Sequence, residues 1–356
     1  LRLQLYILRL VLVAFGFTFG GMVVLALPGV AVSAVHKLKG FPILEVIKWL
    51  PLTLAELGPY LVPLAFLFAV VSVYARLAAD NEWTAIRMSG RGPMSVVWPS
   101  LLFAFVLQLC TLQLLSEFLP WVRQQQNTFV LQAASRGIRD LAPGRTEIQL
   151  GEFYLTARRR DGPAFLDAFL HLPAEDGGEA RTLRAERVRF RFQEEQVLLE
   201  LVEARTVLGD HEVRSGNPVI RLDTALLRSD KKSKVLSSRY WNDARLESEM
   251  EAATMAGDDV LRRNLSFEYH WRRALSATCV VFLLLGLPTG LSSRRGNQLL
   301  PQAVAVGLAL MYYVLFMQAT RQLFTRTWVP ELEAAWAVTL AFLVLGACWT
   351  RMVLRR

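Results

Sequence analysis

The chain has 356 residues, 53% of them hydrophobic and 20% charged, with a formal net charge of +9. The apolar residues gather in long runs, which excludes an ordinary soluble domain. Arginines cluster at the ends of those runs, so the positive balance reads as a membrane-orientation signal rather than a nucleic-acid footprint.

A membrane span needs roughly 20 apolar residues. The first candidate covers residues 5–30, with Arg2 and Arg9 at its start. It is long enough to span and lacks a small-residue cleavage site, so it is expected to remain as a span. Because the sequence starts at Leu1 rather than Met, a longer natural N-terminus is expected. A short loop with His36, Lys37 and Lys39 leads to an amphipathic piece near 43–50 and a second span at 54–77, where Pro59 and Pro63 predict a kink. A polar link over 78–92 precedes a third span at 93–119. The remaining spans are expected at 274–291, 299–324 and 332–352. Cys110, Cys279 and Cys348 all fall in spans, so no disulfide framework follows.

Between the third and fourth spans lies a polar insert. Ile148 and Leu150 alternate with Glu147 and Gln149, Val188, Phe190 and Phe192 with Arg187, Arg189 and Arg191, and Ile220 and Leu222 with Arg221 and Asp223. Val197, Leu199 and Leu201 alternate less cleanly, because Leu198 interrupts the polar face. Period-two alternation is the mark of half-buried strands. Turn formers separate the runs at 161–163, 177–178, 209–210 and 215–218. The expectation is a sandwich, jelly roll or half-open barrel, followed by a short helix at 242–256. The fold class is thus an α-helical membrane protein with six transmembrane helices and an inserted all-β, jelly-roll-like domain. The expected division is 1–120, 121–265 and 266–356.

Orientation follows from the short segments. Arg2, Arg87, Arg91, Arg294, Arg295, Arg355 and Arg356 fall on one side, against Lys37, Lys39, Lys48 and Arg326 on the other. Both termini are therefore expected in the cytoplasm and the β insert in the periplasm.

Catalytic and cofactor signatures are missing. The chain has no Gly-x-x-x-x-Gly-Lys-Ser/Thr phosphate loop, no His-Glu-x-x-His and no Gly-x-Ser-x-Gly, and its four histidines show no metal-ligand spacing. No catalytic or metal residue is assigned, and any energy the protein's work requires is expected from a partner.

The 78–92 link is the sharpest functional candidate. Trp83, Ile86, Arg87 and Gly90 recur at helical spacing, and Glu82 and Arg87 supply an acid and a base for docking. A short helix wedged between two spans would move both when pushed. The alternative is an ordinary solvated turn.

Residues 82–90, Glu-Trp-Thr-Ala-Ile-Arg-Met-Ser-Gly, resemble the coupling-helix motif of the lipopolysaccharide export permeases LptF and LptG. The resemblance extends over the three-plus-three span layout and the β insert. It also covers the residues opening the fourth span, Glu268-Tyr269-His270-Trp271-Arg272, and those closing it, Leu287-Pro288-Thr289-Gly290 and Arg294-Arg295-Gly296. The chain is slightly more similar to LptF than to LptG. The resemblance implies an inner-membrane permease that pairs with a second, different permease subunit on an LptB-like ABC ATPase dimer. That ATPase would bind ATP and magnesium, and this chain would bind no cofactor. Glu82 would be the coupling contact and Arg87 a second one. Lipopolysaccharide would leave the membrane along an acyl-chain groove, lined here by Val188, Phe190, Phe192, Val197, Leu199 and Leu201, toward an LptC/LptA-like periplasmic bridge. Lys37, Lys39 and Arg321 would meet its phosphates, since lysine acts as a flexible point charge on phosphate.

Bland alternatives stand beside these assignments. The six groove residues also suit a plain sandwich core, Lys37 and Lys39 suit snorkelling to head groups, and Arg321 suits capping of the fifth span. At the level of the whole chain, the alternative is a membrane-anchored scaffold, or a mechanotransmitting ABC subunit, that binds periplasmic partners without carrying lipid.

Overall fold

The computed structural model describes residues 2–38, 43–139, 146–150, 153–161, 164–172, 181–192, 196–208, 211–216, 218–223, 238, 241–292, 299–326 and 328–355, and the chain divides into two compact units. The first comprises Leu1–Ala26, Glu56–Pro120 and Ser238–Arg356; the second comprises Leu27–Ala55 and Trp121–Ser237. The stretch expected as one inserted domain, 121–265, therefore divides between the two, and 27–55 joins its larger part.

Among the described residues, six helices are long and apolar enough to cross a membrane. They are α1 (Arg2–Lys37), α2 (Ile43–Ala79), α4 (Met94–Gln113) with its continuation, α7 (Asp259–Ser276) leading into α8 (Thr278–Leu291), α9 (Leu299–Thr325) and α10 (Glu331–Arg355). A short helix α3 (Glu82–Met88) links α2 to α4, and α6 (Asp243–Ala256) precedes α7. α1 and α2 have 36 and 37 residues. At about 1.5 Å per residue each exceeds a hydrocarbon core of about 30 Å. The amphipathic piece expected as separate near 43–50 is the first part of α2, which runs on through Pro51, Pro59 and Pro63 as helix.

The third span also runs past its expected end. α4 passes through a π segment (Leu114–Phe118) into α5 (Leu119–Arg139). Pro120 has no N–H for the Ser116 carbonyl. The helix widens immediately before it, and Leu119 N–H reaches back to Leu114 O, the bond of a π turn.

Within the first unit α8 is the centre. Val281, Phe282 and Leu285 pack with Phe267 and Trp271 of α7, Tyr312 and Phe316 of α9, and Phe342 of α10. Its other side, Cys279, Leu283 and Leu287, packs with Phe66, Val70 and Tyr74 of α2 and Val96, Val97 and Ala104 of α4. A helix apolar all round needs such a buried place. By contrast only 6% of the apolar window of α1 is buried, against 83% for the fourth span, so α1 is peripheral.

The second unit holds an antiparallel sheet: β1 (Thr146–Leu150), β2 (Phe153–Asp161), β3 (Ala164–Leu172), β4 (Arg181–Phe192), β5 (Gln196–Val202), β6 (Ala204–Leu208), β7 (His211–Gly216) and β8 (Val219–Asp223). Val188↔Leu201 and Leu183↔Thr206 share one register, so β5 and β6 form a single line of pairing along β4. β7 and β8 pair that line in turn. The result, among the described residues, is an open meander. The buried face changes phase along each central strand: Phe165, Ala168 and Leu170 on β3, Leu183, Ala185 and Val188 on β4, and Leu199, Leu201 and Ala204 on β5 and β6. The slip falls on one transverse row through Asp167, Glu186 and Glu203, where Asp167 and Glu203 have φ of 51° and 52°. Such a row bends a sheet while leaving the pairing on either side intact.

Candidate functional site

α3 is built as a seven-residue wedge between two left-handed residues, Asn81 (φ 56°) before it and Gly90 (φ 78°) after it. Glycine is the residue that adopts this conformation freely, and Gly90 closes the end of the helix through its N–H to Arg87 O at 3.1 Å. Trp83 is buried, packing with Ile7, Val11, Tyr74, Leu77 and Val97, and Ile86 rests against the same cluster. Helical spacing put Trp83, Ile86, Arg87 and Gly90 on one face, and the structure gives these residues different surroundings. Trp83 and Ile86 anchor the wedge inward, and Gly90 serves the turn. The outward surface consists of Thr84, Ala85 and Met88, the last 84% exposed. Period-3.6 reasoning found the helix but picked its core face. Apolar spacing marks whichever side is buried, and nothing local says that the burial is internal. Glu82 and Arg87 flank the outward surface, both half-buried. Tyr6 of α1 donates its hydroxyl to Glu82, 3.2 Å from Oε2 and 3.4 Å from Oε1.

A second polar constellation, unseen in the sequence, lies at the other end of the third and fourth spans. Arg272 is 1% exposed. Its Nη1 donates to Asp243 Oδ1 at 2.9 Å, its Nε lies 3.8 Å from Glu268, and Nη2 reaches Ser238 O at 3.4 Å. Asp243 Oδ2 also accepts from Ser116 in the π segment at 3.0 Å and pairs with Arg273 at 3.2 Å. Asn242 caps α6 by accepting from Arg245 N–H at 3.2 Å, which fixes Asp243 in the first turn. Three elements far apart in the chain thus meet on one carboxylate.

On the sheet, Val188, Leu199 and Leu201 are buried. They share a cluster with Ala34, Leu38, Val46 and Trp49, while Phe190, Leu50, Leu52 and Phe129 pack at its margin. In this structure these groove candidates face the ends of α1 and α2 rather than open space. Phe190 is half-buried and meets Phe165 edge-on at 5.6 Å. Phe192 and Val197 face each other across β4 and β5 in register; their side chains lie outside the described residues.

The family profile described as lipopolysaccharide export system permease LptF/LptG matches residues 5–352. The chain belongs to this permease family. No curated protein matches the sequence.

Membership makes the protein a multi-pass inner-membrane permease component rather than an enzyme. In this permease the closing motif of the fourth span, Leu287–Gly290, has a packing reason. A Cβ at Gly290 would lie 2.9 Å from Tyr74 Cβ, 3.0 Å from Ala75 N and 3.0 Å from Val71 O. At Gly286 it would meet the Leu67 side chain at 3.0 Å. The two glycines, four residues apart, let α8 and α2 approach at backbone distance. The Glu268–Arg272 motif likewise holds the acid and base of the Asp243 network. Arg294, Arg295 and Gly296 lie outside the described residues.

Lys37 lies in the last turn of α1 within the second unit, Lys39 is outside the described residues, and Arg321 is exposed on α9 in the first unit. The cation that caps α9 is Arg263, not Arg321. Arg263 Nη2 donates to the carbonyls of Phe324, Arg326 and Val329 at 3.1, 2.9 and 3.0 Å.

Proposed function

We propose that the chain is one permease subunit of an ABC transporter that extracts lipopolysaccharide from the inner membrane and passes it toward a periplasmic bridge. The motor is a separate ATPase dimer carrying ATP and magnesium, and the second permease is a different chain. The termini and α3 face the cytoplasm and the sheet faces the periplasm, in keeping with the arginine bias of the short segments. The observation that carries the reading is the form of α3 in a chain of this family. It is a rigidly anchored wedge with an exposed Met88 surface, flanked by Glu82 and Arg87, and tied to α1 through Tyr6. A push on that surface reaches α1, α2 and α4 through Trp83, because all three share its cluster.

The test is copurification with the ATPase. Glu82→Ala and Met88→Asp are expected to weaken the complex and lower its ATP turnover; unchanged association and turnover for both would remove the coupling assignment.

One observation favours the scaffold reading instead: the apolar face of the sheet is covered by Leu38, Val46 and Trp49. Transport of acyl chains across that face needs these helix ends to part from it. A photo-crosslinker at Phe190 discriminates. Capture of a lipid A-containing species during turnover supports transport, and capture of protein alone supports the scaffold.

A further inference from the structure

A cavity of about 470 Å³ opens between α1 and α2 beside α3, within the range of about 300–1,000 Å³ usual for small-ligand sites. Its walls divide by chemistry. Leu10, Val13, Ala14, Val73 and Leu77 form the apolar lining, Ser72 accepts from Gln302 Nε2 at 2.6 Å, and Tyr6, Arg9, Arg76 and Glu82 form a polar end. Two ties bracket it: Thr18 Oγ1 lies 2.9 Å from Ala65 O, and Tyr6 meets Glu82 at 3.2 Å. The lining residues fall between those ties on both helices.

The charges at the polar end are mixed. Arg9 is exposed and forms no ion pair among the described residues. Arg76 donates to Asp80 through Nε at 3.4 Å, and its two Nη groups carry no partner among the described residues. Glu82 accepts from the single hydroxyl of Tyr6, whereas a carboxylate has about four acceptor positions. A ligand that fits presents a phosphate to the two guanidiniums, a hydrogen-bond-donating cation to Glu82, and a hydrocarbon tail to the apolar wall.

We propose that this cavity binds a zwitterionic aminophospholipid, of the phosphatidylethanolamine class, at the end of α1 and α2 next to α3. The phosphate is held by Arg9 and Arg76, the ammonium donates to Glu82, and the first methylenes lie against Leu10, Val13 and Val73. A purely anionic headgroup meets the two arginines but also the carboxylates of Asp80 and Glu82. A choline headgroup has no N–H to offer Glu82. That this end lies in the cytoplasmic leaflet rests on the proposed orientation; the headgroup chemistry does not.

The test uses the full chain, with the subunits that copurify with it, in detergent without ATP. Native mass spectrometry follows retention of phosphatidylethanolamine, phosphatidylglycerol and phosphatidylcholine with matched acyl chains. The ethanolamine lipid is expected to be retained about threefold or more over the other two, the scale of one partly exposed ion pair. Arg9→Gln is expected to lower retention of all three, and Glu82→Gln to remove the preference for ethanolamine over choline while leaving the rest. Arg351→Gln, an exposed cation outside the cavity, is expected to change nothing. Equal retention of the three headgroups, preference for the glycerol lipid, or indifference to both cavity substitutions overturns the proposal. So does a crosslinker at Ala14 that captures only protein. Retention is read from the mass of the permease chain itself, so loss of the ATPase from the Glu82 variant does not enter, and failure of the coupling assignment leaves this result standing.

Discussion

Replacing Arg272 with methionine tests whether the Asp243 network is a structural clamp. The guanidinium is 1% exposed and its partners Asp243 and Glu268 are 18% and 14% exposed at the side chain, so solvent screening of the cluster is weak. Removing one partner of a buried pair typically costs about 3–5 kcal/mol. Here Asp243 keeps Arg273 at 3.2 Å and Ser116 at 3.0 Å, and methionine restores part of the packing. The lower end, about 3 kcal/mol, is therefore expected. At about 2.1 cal/mol/K of unfolding entropy per residue, a chain of 356 residues then loses about 4 °C in apparent Tm. A double-mutant cycle isolates the contact: Arg272→Met, Asp243→Asn and both together, followed by thermal unfolding in detergent. The coupling energy is expected to exceed about 1.5 kcal/mol, as for a charge-assisted hydrogen bond with both partners withdrawn from water. If the two substitutions add to within about 0.5 kcal/mol, the pair is not coupled and the clamp reasoning is wrong.

Gly290→Ala is expected to destabilise by about 1–3 kcal/mol, because the added Cβ meets backbone atoms of α2 at 3.0 Å and only a shift of one helix relieves it; the same substitution at Gly307, which has nothing within 4 Å, is the control, and equal stability of the two variants would refute the close-approach argument. Arg263→Gln releases three carbonyls at the end of α9 and is expected to speed hydrogen exchange over 320–329 without changing exchange in α8. Trp83→Ala removes the anchor of α3 and is expected to cost about 3 kcal/mol locally, read as faster exchange of the 82–90 amides; unchanged protection there would mean that the wedge is held by its ends alone.

The boundary between what was legible and what was not follows the range of the forces involved. Apolar runs reveal spans because burial of a whole helix in hydrocarbon is a property of consecutive residues. The alternation of Val188, Phe190 and Phe192 with arginines marks the second half of β4 for the same local reason. The first half of β4 was missed: Leu183 and Ala185 belong to the same buried face in the opposite phase, and the slip between them depends on matching breaks at Asp167 and Glu203 of neighbouring strands. The continuation of α2 across Pro51 escaped local reading too. Trp49 and Val46 are buried against the sheet, and that packing offsets the cost of a proline within the helix.

The sequence by itself determined six spans, a β insert, the short link at 82–90 and the family, since each rests on residues adjacent or periodic in the chain. Tertiary structure alone decided that Trp83 faces inward and Met88 outward, that Arg272 meets a carboxylate 29 residues away and a serine hydroxyl through it, and that Arg9, Arg76 and Glu82 share one cavity. Those outcomes depend on which distant helix a side chain meets, and local pattern carries no record of that.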